Sequence, residues 1–345
     1  MKPFSCVCGN RLHFENTRCL ACGRAVGFDP ATREMRPAES PLRYCSNGLE
    51  HGVCNWLLPE DSPSDRCWAC NLNQVIPNLS DPDNLRLWGR LEAAKKRLLY
   101  TLEQLELPLV TDASQPGALA FRFMADSLDY SEGALGSPVY TGHDRGVITI
   151  NLKEADAGAR ETMREAMNEP YRTLLGHFRH EIGHYFWDQL IRTSSWLNEF
   201  RALFGDETLD YEAALRDHYG NLLDSSWRQE YVSAYASAHP WEDWAETWAH
   251  YLHMFDGLET AHAMGFEVAH RPVGSPLPSQ AEAFSVQPWS PHYPSFGQMV
   301  DDWQQLTLAL NAMNRSMGLS DTYPFTLTEP VIEKLDFVHR VINDL

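Results

Sequence analysis

The chain has 345 residues, enough for two or three domains with a sizeable core, and 43% of them are hydrophobic. Its formal net charge of -19 argues against a nucleic-acid-binding surface over most of the molecule, because phosphate contacts need Lys and Arg. The sequence offers no apolar stretch of membrane-spanning length and no signal sequence at its start. We therefore expect a cytoplasmic protein.

Eight cysteines lie between Cys6 and Cys70, and none follows. Clustered cysteines in a chain without a secretion signal are typical of metal sites rather than disulfides. They form two groups, Cys6, Cys8, Cys19 and Cys22, then Cys45, Cys54, Cys67 and Cys70. The first group lies on two tight turns that each end in Gly, the pattern of a zinc ribbon in which four thiolates bind Zn²⁺. The sequence therefore predicts two structural zinc ions.

The second group is less regular, because Cys45 and Cys54 are widely spaced and His51 is close enough to compete as a ligand. We rank four cysteines first and keep His51 as the alternative. Few aliphatic residues surround the cysteines, so this segment is expected to need its metal to fold. Such a ribbon can bind a protein partner, bind nucleic acid or cap another domain, and the nucleic-acid role is the one we expect least.

Further along, Asp81 and Pro82 supply the capping and first-turn residues of a helix whose buried stripe runs from Trp88 to Leu105. The charged residues that interrupt the stripe are interpreted as a solvent-exposed face: Lys95, Lys96 and Arg97. Strands are predicted over residues 118–124 and 147–152. We expect the second to be an edge strand, where backbone groups can hold an extended peptide.

The motif His180-Glu181-Ile182-Gly183-His184 lies within a helix predicted from Pro170 to Leu190. Residues four apart lie on one face of a helix, so both imidazoles can bind one ion while Glu181 faces the same cavity. This is the H-E-x-x-H pattern of zinc hydrolases, in which the carboxylate takes a proton from the metal-bound water.

Later helices are predicted over residues 196–204, 211–219, 227–235, 296–313 and 331–342, and a further helix begins at Pro240. A loop is predicted over residues 270–294. A catalytic zinc needs a third ligand, and the residues after His184 lack the His of the metzincin pattern. The helix from Pro240 offers Glu242 and Glu246 on one face. We assign Glu242 to the metal and Glu246 to the spare ring N–H of a liganding His, and the reverse assignment stays open.

The arrangement of Tyr235, Glu242 and Glu246 resembles the gluzincin site of lethal-factor-type metalloproteases. That resemblance implies that Glu242 binds zinc and that the Tyr235 hydroxyl donates to the oxyanion. More broadly, the chain resembles the bacterial family of zinc-ribbon-containing, zinc-binding metallopeptidases. The segments that carry this resemblance are the paired Cys clusters and residues 71–77, 140–144, 171–181 and 233–242.

The sequence predicts an α+β fold in three parts. These are a double zinc ribbon over residues 1–76, a mostly helical zincin-like domain with a small β-sheet over 80–265, and a Pro-rich linker with C-terminal helices over 266–345. The predicted function is hydrolysis of peptide bonds in a peptide or protein substrate, with one catalytic and two structural Zn²⁺. The alternative is a zinc-ribbon interaction protein whose peptidase-like domain is an inactive scaffold. Four further histidines are interpreted as packing or supporting groups: His177, His239, His250 and His253. His143, in the turn before the second strand, could reach the cleft, but nothing in the sequence places it there.

Overall fold

A computed structural model describes residues 1–126, 139–167, 169–221, 225–269, 283–285, 293 and 295–345. They form two compact units, each described by itself. The N-terminal unit is Pro3–Ser195, and the C-terminal unit is Trp196–Leu345 with Met1–Lys2. Most of the predicted loop over 270–294 lies outside the described residues. The three domain limits proposed from the sequence stay a prediction.

Helices and short strands alternate in the N-terminal unit. Its helices are α1 (Ser46–His51), α2 (Trp68–Asn71), α3 (Pro82–Gln104), α4 (Ala157–Ala166) and α5 (Leu174–Phe186). Its strands are β1 (Phe4–Ser5), β2 (Arg11–Leu12), β3 (Val26–Asp29), β4 (Glu34–Pro37), β5 (Leu42–Tyr44), β6 (Leu57–Pro59), β7 (Asn73–Val75), β8 (Ala120–Met124), β9 (Gly142–Asp144) and β10 (Val147–Asn151).

The C-terminal unit is mostly helical. Its helices are α6 (Leu197–Phe204), α7 (Tyr211–Gly220), α8 (Pro240–Ala263), α9 (Phe296–Ser316) and α10 (Glu329–Asn343), and its strands are β11 (Glu267–Ala269) and β12 (Ala283–Ser285). With Cys-rich hairpins first and a mostly helical part with a small mixed sheet after them, the predicted α+β fold is confirmed.

The Cys-rich segment folds into the antiparallel hairpins β1–β2, β3–β4 and β5–β6. Aromatic rings fill the space between them. Phe28 lies 4.8 Å from Phe14 and 5.1 Å from Trp56, centroid to centroid, and Tyr100 of α3 lies 5.5 Å from Phe14. All four rings are buried, so the hairpins share one hydrophobic core with α3.

A four-stranded sheet supports α5, with the strand order β7-β8-β10-β9. Strand β8 runs parallel to β7 and β10, while β9 is antiparallel to β10. Because β10 lies between two strands, the prediction that residues 147–152 form an edge strand is wrong. The sequence analysis missed two strands of this sheet, β7 and β9, and the Gly, His and Asp of β9 are residue types common in turns. Among the described residues, β9 is the edge on that side.

The connection from β9 to β10 is a two-residue turn. Arg145 and Gly146 have positive φ values of 48° and 92°, as a type I′ hairpin turn requires. A side chain on Gly146 would meet the carbonyl of Ala118 at 2.5 Å, so this position also needs glycine for space. Three residues before Gly146, His143 pairs with the buried Ile148. Directly opposite residues share a face of the sheet, so His143 lies on the face that Ile148 buries.

Helix α5 begins later than predicted. The side chain of Thr173 accepts a hydrogen bond of 3.0 Å from the Gly176 N–H, and this cap starts the helix at Leu174 rather than at Pro170. After Phe186 the chain continues as a π-helical turn over Trp187–Ile191. Phe178 anchors α5 on the sheet, 5.9 Å from Phe121 and 6.2 Å from Phe123 of β8.

Helix α3 carries buried charges that the sequence did not predict. Lys95 and Lys96 are 0% and 2% exposed, so their interpretation as a solvent-exposed face is wrong. Only Arg97 fits that interpretation, and its Nε donates to Glu15 at 2.6 Å on the surface. The physical reason is that each lysine pairs with a residue from another segment, Asn73 for Lys95 and Val53 for Lys96, which periodicity along one helix does not reveal.

Helix α8 is the centre of the C-terminal unit and packs against α6, α9 and α10. Trp244 on α8 contacts Phe204 of α6 and Phe337 of α10, at 5.9 Å and 6.0 Å between centroids. The helix predicted over residues 227–235 is wrong, because the chain there forms short 3₁₀ turns over Ser226–Gln229 and Tyr235–Ala238. Across the described part of the chain, no helix combines the length and the apolarity needed to cross a bilayer.

Candidate metal centres

The structure brings the first four cysteines together. Cys6 and Cys22 sulfurs are 3.8 Å apart, those of Cys8 and Cys19 are 3.7 Å apart, and all four lie within 4.8 Å of one another. Zn–S bonds of about 2.3 Å put two sulfurs of a tetrahedral site about 3.8 Å apart, so the cluster fits Zn²⁺. Backbone N–H groups of Cys22 and Ala21 lower the pKa of the Cys19 thiol to about 6, which favours the thiolate that a metal binds.

The second group also converges, and here all four cysteines are buried. The sulfurs of Cys54 and Cys67 are 3.7 Å apart. The N–H of Cys67 donates to the sulfur of Cys45 at 3.3 Å, a hydrogen bond that favours a thiolate. His51 pairs instead with Glu50, at 3.7 Å between Nε2 and Oε2. A cluster of four cysteines therefore suits Zn²⁺ without His51.

Charged side chains of α3 adjoin the second cluster. Burial acts to raise the pKa of Glu92, but the positive charges of Lys95 and Lys96 lower it to about 2. Burial acts to lower the pKa of Lys96, yet the negative charges of Glu92 and of the neighbouring cysteines raise it well above its usual range. Both groups are therefore charged at neutral pH.

The H-E-x-x-H motif lies on α5 of the N-terminal unit. The Nε2 atoms of His180 and His184 are 3.2 Å apart, and their ring centroids are 4.9 Å apart. Zn–N bonds of about 2.0–2.1 Å put two nitrogens of a tetrahedral site about 3.3 Å apart, so the pair fits one Zn²⁺. Glu181, next to His180 on the helix, is buried, as is His184. Tyr185 directly follows the motif, and its hydroxyl accepts a hydrogen bond from the Val110 N–H at 3.0 Å.

His143 of β9 lies beside this motif, where the sequence alone did not place it. Its ring is nearly parallel to that of His184, with a centroid distance of 6.5 Å. Its Nε2 accepts a hydrogen bond of 2.9 Å from the Gly146 N–H, so in the neutral ring Nδ1 carries the proton. Burial and the nearby His184 lower the pKa of His143 to about 3, which keeps the ring neutral at pH 7.

One turn before His180, His177 belongs to an ion-pair cluster. Its Nδ1 is 3.0 Å from Oε2 of Glu154, and Arg172 reaches Oε1 of the same carboxylate at 3.0 Å. Burial acts to raise the pKa of Glu154, but His177 and Arg172 lower it below its ordinary value. His177 thus supports the start of α5, in agreement with its interpretation as a supporting group.

In the C-terminal unit, Glu242 lies in the first turn of α8 and is 1% exposed. The hydroxyl of Tyr211 on α7 donates a hydrogen bond of 2.6 Å to its Oε1. The side chain of His239 caps α8 by accepting from the Trp241 N–H at 3.1 Å. Tyr211 is the supporting residue that sequence analysis missed. It lies 31 positions from Glu242, with no pattern that links the two.

Glu246 is one turn further along α8 and is half-buried. Ser233 donates a hydrogen bond of 2.7 Å to its Oε2, and the same hydroxyl accepts from the Ala236 N–H at 3.1 Å. Tyr235 begins the 3₁₀ turn that follows Ser233, and its ring contacts His218 with a centroid distance of 6.0 Å. Ser233 therefore ties the segment with Tyr235 to the helix with both glutamates.

Comparison with known proteins identifies both parts of the chain. Residues 3–81 match a zinc-ribbon domain, and residues 84–341 match the family described as "Putative zinc-binding metallo-peptidase". The chain belongs to this metallo-peptidase family. Uncharacterized proteins of Mycobacterium tuberculosis and Mycobacterium bovis are each 40% identical to it over 350 residues, covering 100% of this chain and 96% of theirs. No solved structure matches the chain.

The metallo-peptidase match spans residues of both units, from α3 to α10. It confirms the resemblance recognised from the sequence. In the N-terminal unit, the structure brings together the eight cysteines in two clusters and the two histidines of the motif. In the C-terminal unit, it places Tyr211 beside Glu242 and Ser233 beside Glu246. The roles assigned to Glu181, Tyr235, Glu242 and Glu246 stay predictions.

Proposed function

We propose that this metallo-peptidase family member is an active zinc-dependent peptidase of the gluzincin type. The observation that carries the proposal is the 3.2 Å separation of the His180 and His184 Nε2 atoms on a helix that also carries Glu181. Zn²⁺ bound there supplies a Lewis acid that lowers the pKa of a water molecule and polarises the scissile carbonyl. The eight free cysteines favour a reducing compartment, so we place the enzyme in the cytoplasm.

Glu181 acts as the general base and then as the general acid. It takes a proton from the attacking water and passes it to the leaving amine. Its position supports this role, because Glu181 is buried on the helix that carries both imidazoles, directly after His180.

Glu242 supplies the third metal ligand in this proposal, and Glu246 orients a liganding imidazole. Two features support this assignment of the two glutamates. Glu242 is almost fully buried, and the 2.6 Å hydrogen bond from Tyr211 fixes one of its oxygens, as is usual for carboxylates that bind metals. Glu246 is more exposed and takes its hydrogen bond from Ser233.

Tyr235 donates its hydroxyl to the developing oxyanion in this proposal, as the resemblance to lethal-factor-type enzymes implies. Its support is positional: the turn that it begins is held to α8 through Ser233 and Glu246. A hydroxyl on a fixed turn is preorganised, which is what stabilisation of a transition-state charge needs.

The substrate is a peptide or protein, as the family implies, and we propose that it binds in extended form along β9. The turn between β9 and β10 has two residues, so its closing pair, Asp144 and Val147, exchanges the hydrogen bonds of the ladder. The next pair, His143 and Ile148, does not exchange hydrogen bonds, so the backbone N–H and C=O of His143 point away from β10. An added peptide strand would form its hydrogen bonds with backbone groups in that orientation.

The test is Glu181→Gln in the purified full chain. Zinc content should stay at the wild-type value by mass spectrometry of the metals, while cleavage of a random peptide library should fall by at least about 100-fold, the scale for loss of a general base. Cleavage at the wild-type rate would refute the mechanism. If the wild-type protein binds only two zinc ions and cleaves nothing, the inactive-scaffold alternative holds instead.

A further inference from the structure

Three charged side chains of α3 are fully enclosed next to the second cysteine cluster. Glu92, Lys95 and Lys96 lie on one stretch of the helix, and none is more than 2% exposed. Burial of a charge is costly unless opposite charges and hydrogen bonds compensate it. Each of these groups must therefore be accounted for by its neighbours.

Glu92 is the hub of this group. Its Oε1 accepts hydrogen bonds from Asn73 at 2.6 Å, Trp88 at 3.1 Å and Lys95 at 3.1 Å, and its Oε2 pairs with Lys96 at 2.9 Å. The same Oε2 is 3.9 Å from the sulfur of Cys70. One carboxylate thus faces two ammonium groups, and the three side chains together carry a net charge of +1.

The two lysines differ in their remaining partners. Lys95 also donates to Asn73, and its Nζ lies over the rings of Phe121 and Phe123 at 5.6 Å and 5.5 Å. Lys96 instead donates to the carbonyl of Val53 at 3.0 Å, in the residue before Cys54. Lys96 thus reaches the segment that holds the sulfur cluster, while Lys95 points to the sheet.

Charge balance explains why a second buried lysine is tolerated beside the second cysteine cluster. A Zn²⁺ ion with four thiolates carries a net charge of −2, which is costly to bury by itself. With the +1 of the three side chains, the enclosed total falls to −1. With the metal removed and the thiols protonated, the same side chains would leave +1 enclosed in the core.

We propose that Lys96 is the buried counter-charge of the second tetrathiolate zinc site, and that this contact makes the zinc ribbon a structural part of the unit that carries the H-E-x-x-H helix. Helix α3 holds Lys96 on one side and packs against α5 on the other. Loss of this zinc therefore loosens α3 as well as the ribbon. The ribbon is then more than a detachable module that recruits a partner.

The test compares Lys96→Met with Lys95→Met in the full zinc-loaded chain. Both changes remove a buried ammonium that pairs with Glu92, but only the first removes the charge next to the cysteines. Zinc release into excess chelator, followed with a chromogenic indicator, should speed up for one structural ion by about 10- to 100-fold in Lys96→Met, the usual effect of removing a group that supports metal ligands. Lys95→Met should release zinc more slowly than Lys96→Met, because the Lys95 ammonium points to the sheet. Equal rates in both variants would overturn the proposal.

If Lys96→Met does not fold, a second measurement on the wild-type chain tests the proposal. Hydrogen exchange is recorded with zinc bound and after chelation. Amides of α3 around Glu92 should lose protection as zinc leaves the second cluster, while amides of α10 keep theirs. Unchanged protection in α3 would overturn the proposal. Neither readout uses peptide cleavage, so both stand apart from the outcome for the proposed function.

Discussion

Tyr211 offers a direct way to weaken the proposed catalytic zinc site without replacing a proposed ligand. Its hydroxyl donates a hydrogen bond of 2.6 Å to Oε1 of the buried Glu242. A hydrogen bond to a charged group contributes about 1.5–3 kcal/mol, and each 1.4 kcal/mol is tenfold in an equilibrium constant. If Glu242 binds the catalytic zinc, Tyr211→Phe should raise the dissociation constant of that ion by about 10- to 100-fold, the range measured for other groups that orient metal ligands.

The assay is competition with a chelator of known affinity, counting the zinc ions that remain on the chain. The two ions proposed for the cysteine clusters serve as an internal reference, because Glu242 is not among the residues of those clusters. The matched control is Tyr235→Phe, which removes a hydroxyl proposed to meet the substrate rather than a ligand. It should keep the wild-type zinc affinity and lower kcat. A folded Tyr211→Phe that holds its third zinc as tightly as the wild type would refute the assignment of Glu242.

Other residues give further expected outcomes. In the folded protein the pKa of His143 is lowered from 6.5 to about 3, so the folded state binds fewer protons than the unfolded chain between these values, and stability is lost as pH falls below about 6.5. His143→Gln should therefore lose less stability than the wild type between pH 7 and 5 in urea titrations. Lys334→Met leaves Asp243 buried without its 2.7 Å partner and should cost about 3–5 kcal/mol of unfolding free energy. On the same helix, Arg340→Met breaks half-exposed pairs with Glu199 and Asp336 and two cation–π contacts at 5.7 Å, and should cost less than Lys334→Met by the same titration.

Features with a strong local signal were predictable from the sequence. The cap at Asp81 and the first-turn Pro82 give the observed start of α3, and the apolar periodicity gives α8, α9 and α10. The paired cysteines predicted two clusters because tetrahedral thiolate ligation needs two close pairs of sulfurs. Each of these signals lies within a short segment, so no knowledge of the tertiary fold was needed.

Features that depend on distant partners were not predictable. Lys96 looks like a solvated lysine until Val53 and Glu92 enclose it. Residues 227–235 are rich in aromatic and polar residues at helical spacing, yet the chain there makes 3₁₀ turns. Both cases show that tertiary packing overrides a local pattern.

The candidate site shows the same division. Its ligand types and spacing are written in the sequence, because two imidazoles on one helix face lie three or four residues apart. The neighbouring groups are not, since Tyr211, which donates to Glu242, and His143, whose ring lies beside His184, come from a separate helix and from a strand of three residues. A strand that short has too few residues to show alternation, so no strand was predicted at β9.

The most direct test of the central claim is a crystal of the zinc-loaded protein measured at the zinc absorption edge. An anomalous difference map counts the ions and shows their ligands together. We predict three peaks, with one on each cysteine cluster and the third held by His180, His184 and Glu242. Two peaks on the cysteine clusters with none beside His180 and His184 would contradict the proposed enzyme.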